Sequence, residues 1–200
     1  MTLNEIFKTY FKTKLILWGG IGITASVIRL FTKPDTSLLF LLGFIFFTIV
    51  AAFALGLIDY NFYEKQAPKI VLLLLDKTPL KEFLNLGFSK EENDKLVGKI
   101  NSFQTSLAPL TTSNGENSLV ILIPLKLKEG LEEYFTNFDN HFTFRLSDTV
   151  LFAETIIKNY DKTFDFEKLN KLLIDTTQSL KNKNIHPLEV YEDKQYSSQH

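Results

Sequence analysis

Ser37-Leu-Leu-Phe-Leu-Leu-Gly-Phe-Ile-Phe-Phe-Thr-Ile-Val-Ala-Ala-Phe-Ala-Leu-Gly-Leu-Ile58 is a run of 22 residues without a charged side chain. At roughly 1.5 Å of rise per residue an α-helix of that length extends about 33 Å, enough to cross a hydrocarbon core of about 30 Å. A second apolar run, Leu15 to Phe31, stands before it, and only Thr32, Lys33, Pro34, Asp35 and Thr36 separate the two. The pair reads as a transmembrane helical hairpin, with spans at 15–31 and 37–58. No Asp, Glu, His or Lys lies inside either run. Arg29 is close enough to an end to reach the interface along its aliphatic stem, so the usual marker of an ion or proton path is missing.

Working outward, the first run is not a cleaved leader by its pattern. The small-x-small cleavage signature is poorly placed, Arg29 follows within the same run, and a second span begins five residues later. Before it, residues 1–14 place Leu3, Ile6, Phe7, Tyr10 and Phe11 at helical spacing, with Lys8, Lys12 and Lys14 elsewhere on the turn and Thr2-x-x-Glu5 as a capping box. This is an amphipathic helix in the headgroup layer or, alternatively, an extension of the first span. Lys8, Lys12 and Lys14 before the pair and Lys65, Lys69 and Lys77 after it outnumber Arg29 and Lys33 at the loop, six against two. The bias puts both termini in the cytoplasm of an inner or cytoplasmic membrane.

Small residues are grouped on the spans. Gly19, Gly20, Gly22, Ala25 and Ser26 lie on the first, and Ala51, Ala52, Ala54 and Gly56 on the second. Gly22-x-x-x-Ser26 and Ala52-x-x-x-Gly56 match the spacing that lets helix backbones approach. Gly19, Gly22, Ser26, Ala52 and Gly56 are the candidate helix-packing residues, used within the hairpin or against a partner helix.

Composition splits the chain at about residue 62. A mean hydropathy of +0.03 averages a very apolar first third and a polar remainder. The net charge is −1, from 22 basic and 23 acidic residues, and Arg29 and Arg145 are the two arginines. A neutral, arginine-poor domain is a poor reader of nucleic acid, because phosphate and base-edge contacts lean on guanidinium groups. The absence of cysteine excludes disulfides, thiolate metal sites and cysteine nucleophiles.

After a linker at 59–67, in which charges alternate with Tyr60, Phe62 and Tyr63, the remainder reads as one α+β domain at 68–182. Ile70 to Leu75 is a buried helix too short to cross a bilayer, and Thr78-Pro79 opens a second short helix through Phe83 to Gly87. Alternation predicts a hairpin of Leu96 to Ile100 and Phe103 to Leu107 about an Asn101-Ser102 turn, then a strand Leu119 to Ile123 after a turn at Asn114-Gly115. Leu131, Tyr134, Phe135 and Phe138 have helical spacing. Phe142 to Leu146 and Thr149 to Ile157 follow as strands about Ser147-Asp148, and Phe166, Leu169, Leu173 and Leu180 form the stripe of a last amphipathic helix. Residues 183–200 are polar and aperiodic, a loosely held tail.

The order is α-βββ-α-ββ-α, a helix-backed antiparallel sheet. In that order, and in stretches such as Leu119-Val-Ile-Leu-Ile-Pro124 and Phe144-Arg-Leu-Ser-Asp148, residues of about 68–182 resemble the type III secretion chaperone-like fold. Members of that fold are non-enzymatic binding modules, often paired, so the resemblance implies recognition of a protein or peptide. Those members are soluble, and the apolar helices here depart from the pattern.

No catalytic constellation stands out. His141, His186 and His200 lie at no ligand spacing, and Glu91, Glu92 and Asp94 lack the glycine and closing glutamate of a calcium loop. Gly-x-Ser-x-Gly, Gly-x-Gly-x-x-Gly and Walker loops are absent. No cofactor, metal or small-molecule substrate is expected. Glu154 interrupts an apolar strand, and a cross-strand ion pair with Arg145 would explain it. The sequence therefore predicts a membrane-anchored cytoplasmic protein-binding or scaffolding module, not an enzyme, with membrane lipid and a protein partner or a second copy as its contacts. The alternative is a small membrane-embedded subunit of a transport or envelope complex, assembling through its apolar helices.

Overall fold

In a computed structural model, residues 2–33, 37–91, 94–126, 142–147 and 150–188 are described below. The chain divides into two compact units, Met1–Gln66 and Ala67–His200.

The first unit is helical. Helix α1 (Leu3–Ile6) starts at a complete capping box, in which the Thr2 hydroxyl accepts from the Glu5 N–H and the Glu5 carboxylate accepts from the Thr2 N–H. A π-helical stretch, Phe7–Lys12, leads into α2 (Thr13–Thr32), and α3 (Leu38–Asn61) packs against α2. The wider π turn brings Tyr10 and Phe11, adjacent in sequence, both into buried positions. The apolar face expected at headgroup level is thus turned, at these two residues, toward α3. Residues 59–67, expected as a linker, are helical: α3 runs to Asn61, a second π-helical stretch covers Phe62–Gln66, and Ala67 begins the next helix. Pro68, in the next turn, has no N–H for the carbonyl four residues back, and a widened turn is one way a helical chain accommodates that loss.

The second unit is α+β. Helices α4 (Ala67–Leu75) and α5 (Leu80–Asn85) precede a six-stranded antiparallel sheet, β1 (Ser89–Glu91), β2 (Lys95–Ile100), β3 (Phe103–Thr111), β4 (Asn117–Leu125), β5 (Thr143–Ser147) and β6 (Val150–Lys158), in the order β1-β2-β3-β4-β6-β5. A one-turn α6 (Tyr160–Thr163) and α7 (Phe166–Asn182) follow. The β2–β3 hairpin closes on Ile100↔Phe103, with Asn101 and Ser102 at φ 49° and 75°, the two left-handed residues that a tight turn of matching twist requires. Gly115, at φ 76°, serves the β3–β4 turn.

Alternate residues give the sheet two faces. Leu96, Leu107, Ile121, Ile123 and Ala153 point to the side where Leu75, Leu80, Phe83, Leu169, Leu173 and Leu180 of the helices complete the main core. Val120, Leu122 and Phe152 form a smaller buried cluster on the other side. Phe83 sits at the centre of the first, edge-on to Phe88 at 5.2 Å and to Phe166 at 5.1 Å.

Three differences from the sequence reading have physical causes. Ser89–Glu91, which the sequence does not mark as a strand, form an edge strand paired with Lys95 to Val97; all three residues are exposed, so no alternation marks them. Helix α5 begins at Leu80, with Pro79 rather than Thr78 in the cap position. The Thr78 hydroxyl instead donates to Glu82 Oε1 at 2.8 Å. Residues 183–188, placed in the loose tail, are held by the domain. Ile185 is buried, the Lys126 N–H donates to the His186 carbonyl at 3.0 Å, and Leu125 bridges to Pro187. The helix expected over Leu131 to Phe138 lies outside the described residues.

Candidate functional site

The surface that most distinguishes this protein is made by α2 and α3. The helical stretches Leu3–Thr32 and Leu38–Leu75 are each long and apolar enough to cross a membrane, and only 11% and 17% of their most apolar parts is buried. A core helix of a water-soluble protein buries most of its apolar residues. Here Ile16, Leu17, Ile28, Leu39, Phe46 and Phe47 are exposed, and burial is confined to a seam.

The seam is a stripe spaced by four and seven. On α3 it comprises Leu41, Thr48, Ala52 and Gly56, and on α2 Gly22 and Ser26, preceded by Phe11. Such a narrow stripe is the geometry of two helices crossing at a shallow angle. Its two glycines leave room for the side chains that pack onto them. A β-carbon on Gly22 would collide with the Thr48 hydroxyl and lie 3.2 Å from Thr48 Cβ, and one on Gly56 would lie 2.5 Å from the Phe11 ring. Ala52 is fully buried, and Ser26 is buried with no hydrogen-bond partner for its hydroxyl among the described residues. Thr48 satisfies its own hydroxyl by donating to the Ile45 carbonyl at 2.8 Å. Four of the five expected packing residues therefore meet within the hairpin. Gly19 does not: a β-carbon there would have nothing within 4 Å, and the same holds for Gly20.

A polar and aromatic cluster closes the end of the seam that carries the N-terminus of α2. The Lys14 ammonium pairs with the Asp59 carboxylate across the two helices. The Tyr10 hydroxyl donates to Glu64 Oε1 at 2.7 Å, while its ring packs edge-on to Tyr60 at 5.6 Å and stacks with Tyr63 at 6.5 Å. Phe11 packs on Phe53 at 5.6 Å. The sequence reading missed this cluster. Its signal was there, since two helices folded back about 33–37 bring residue 14 and residue 59 to the same end with opposite charges.

The domain places Arg145 and Glu154 together as well. Arg145 lies opposite Phe152 on the β5–β6 pair and Glu154 opposite Thr143, so the two are diagonal neighbours on one face, and Arg145 Nε donates to Glu154 Oε2 at 3.0 Å. The guanidinium is half exposed and the carboxylate mostly buried. In the acidic turn, Glu91 closes β1 and pairs with Lys95 at 3.3 Å, Asp94 stands at φ 56°, and Glu92 lies outside the described residues. Burial holds the Asp94 carboxyl above its ordinary pKa.

Among the described residues, no group of three His, Asp or Glu side chains converges in a way that could hold a metal ion. A shallow depression lined by Leu86, Gly87, Val97, Gly98, Lys99 and Gln104 carries one titratable group, Lys99. The Tyr160 phenol is buried without a hydrogen-bond partner among the described residues, and that burial pushes its pKa up. No protein-family model matches the chain, and no curated protein matches it.

Proposed function

We propose that this protein is a membrane-anchored binding or scaffolding module. The α2–α3 hairpin sits in a bilayer, both termini face the cytoplasm, and the α+β domain recognises a protein at the membrane surface without catalysing a reaction. The observation that carries this reading is the contrast between two long apolar helices and the narrow seam they bury. Apolar area of that extent, left uncovered by its own chain, is covered by hydrocarbon at little cost and by water at a high one. The lysine excess at the ends of 15–58 supports the orientation. Use of Gly22, Ser26, Ala52 and Gly56 inside the hairpin leaves fewer small residues for partner helices, which favours an anchor over an embedded subunit. The binding role of the domain is supported by its resemblance in element order to the secretion chaperone-like fold, an analogy of fold alone. Confinement to a surface raises the domain's effective concentration for partners there.

The test divides the chain at its unit boundary. A fragment of residues 67–188, expressed without the hairpin, is expected to fold cooperatively and to retain the protein contacts that the full chain makes in mild detergent. Contacts that follow residues 2–66 instead would refute the binding role of the domain.

A further inference from the structure

The charges at the closed-off end of the seam are unevenly satisfied. Both carboxylates there are used internally, Asp59 by the Lys14 ammonium and Glu64 by the Tyr10 hydroxyl at 2.7 Å. Glu5, one turn before Lys8, has its carboxylate taken by the Thr2 N–H at 2.6 Å. Lys8, Lys12 and Lys65 are exposed and make no ion pair among the described residues. They lie within about one helical turn of the Tyr10–Glu64 contact. Lys8 and Lys12, four residues apart on one helix face, flank Tyr10, and Lys65 follows the Glu64 that Tyr10 contacts.

Tyrosines concentrate where a membrane helix meets the headgroups, because their rings are apolar and their hydroxyls are wet. The Tyr10, Tyr60 and Tyr63 cluster marks such a level, one turn or so beyond the apolar part of α2 and α3. We propose that Lys8, Lys12 and Lys65 form a collar that binds the phosphate groups of anionic phospholipids in the leaflet on that side. The proposal rests on the membrane reading above and adds a lipid class to it. Lysine is a mobile point charge that suits a field of several headgroups, whereas one fixed phosphate favours arginine's planar fork. An acidic protein as occupant would have to reach the same level past the lipid headgroups.

Trp18 is the single tryptophan of the chain and lies one turn into α2 from Lys14, so it reports on the same leaflet. Full-length protein is reconstituted into vesicles of mixed phosphatidylcholine and phosphatidylglycerol, with bromine carried by one lipid or the other, and Trp18 quenching gives the relative occupancy of the two beside the hairpin. The expected result is a preference for the anionic lipid of about fivefold at low salt, the size of one lysine contact with an anionic surface. It should shrink at high salt. It should be lost in the triple variant Lys8→Gln, Lys12→Gln, Lys65→Gln and kept when all three are changed to arginine. Equal quenching by the two lipids, or a preference that the glutamine variant retains, overturns the collar. Absence of Trp18 quenching by both lipids overturns the membrane reading itself, which separates the two failures.

Discussion

Changing Gly22 to alanine adds one methyl group at the tightest point of the α2–α3 seam. Built on the present backbone, that methyl collides with the Thr48 hydroxyl and lies 3.2 and 3.3 Å from Thr48 Cβ and Cγ2. Rotation of Thr48 takes the hydroxyl from the path only by breaking its bond to the Ile45 carbonyl, while the Cβ and Cγ2 contacts ask for a shift of only a few tenths of an ångström, so the hydroxyl carries most of the clash. Overpacking of this kind costs about 1–3 kcal/mol. Alanine also gains up to about 1 kcal/mol over glycine in helix propensity, which hides part of that cost. Gly19→Ala supplies the reference, because it makes the same backbone change with nothing within 4 Å. The difference between the two variants isolates the steric cost, about 1–3 kcal/mol. Unfolding of the hairpin in mixed micelles, followed by Trp18 fluorescence against rising sodium dodecyl sulfate, reads it directly. Thr48→Ala should restore most of the loss in Gly22→Ala, a coupling that two distant sites would not show. Equal midpoints for Gly19→Ala and Gly22→Ala, or no rescue by Thr48→Ala, would refute the packing described here.

Further predictions concern the domain. Arg145→Glu is expected to cost about 1 kcal/mol, because the guanidinium is half exposed and such pairs are screened, and combining it with Glu154→Arg should recover part of the loss; thermal melts of the four proteins decide this. Phe83→Ala removes a fully buried ring between Phe88 and Phe166 and should cost about 3–5 kcal/mol in a urea titration of residues 67–188. The Asp165 carboxylate caps α7 by accepting the Lys168 N–H at 2.8 Å, which holds its pKa below the ordinary value. That contribution is full above the unfolded-state pKa of about 4 and fades as pH falls through the lower folded value. Asp165→Asn should therefore weaken the pH dependence of the melting temperature below about pH 4 relative to the native chain, and an identical profile would contradict the cap's role.

The β2–β3 hairpin and the last helix were legible by their period, and β4 by an unbroken apolar run that is buried on both faces. Leu169, Leu173 and Leu180 repeat at helical spacing, and Asn101-Ser102 sits between two alternating runs, so local pattern and tertiary burial agree. Arg145 and Glu154 could be paired from sequence by opposite charge on two neighbouring alternating runs, but not by register: Ser147, expected in the turn, belongs to β5 and pairs with Val150. Ser89–Glu91 escaped because an exposed three-residue edge has no apolar period. Ile185 escaped because one buried residue after a helix carries no period either. On α2, composition alone could not separate Gly19 from Gly22. Both are small, and only the position of Thr48 decides which of them faces the partner helix. Tyr10 was assigned to the lipid surface for a related reason: an aromatic residue at helical spacing looks the same whether lipid or α3 covers it.

The central claim is that the two apolar helices are covered by lipid. Membranes holding the full chain, washed with alkaline carbonate and then floated through a density gradient, test it most directly. The account predicts that the protein stays with the floating lipid and enters solution only with detergent. Recovery of a folded monomer in the carbonate wash, stable without detergent, would contradict it.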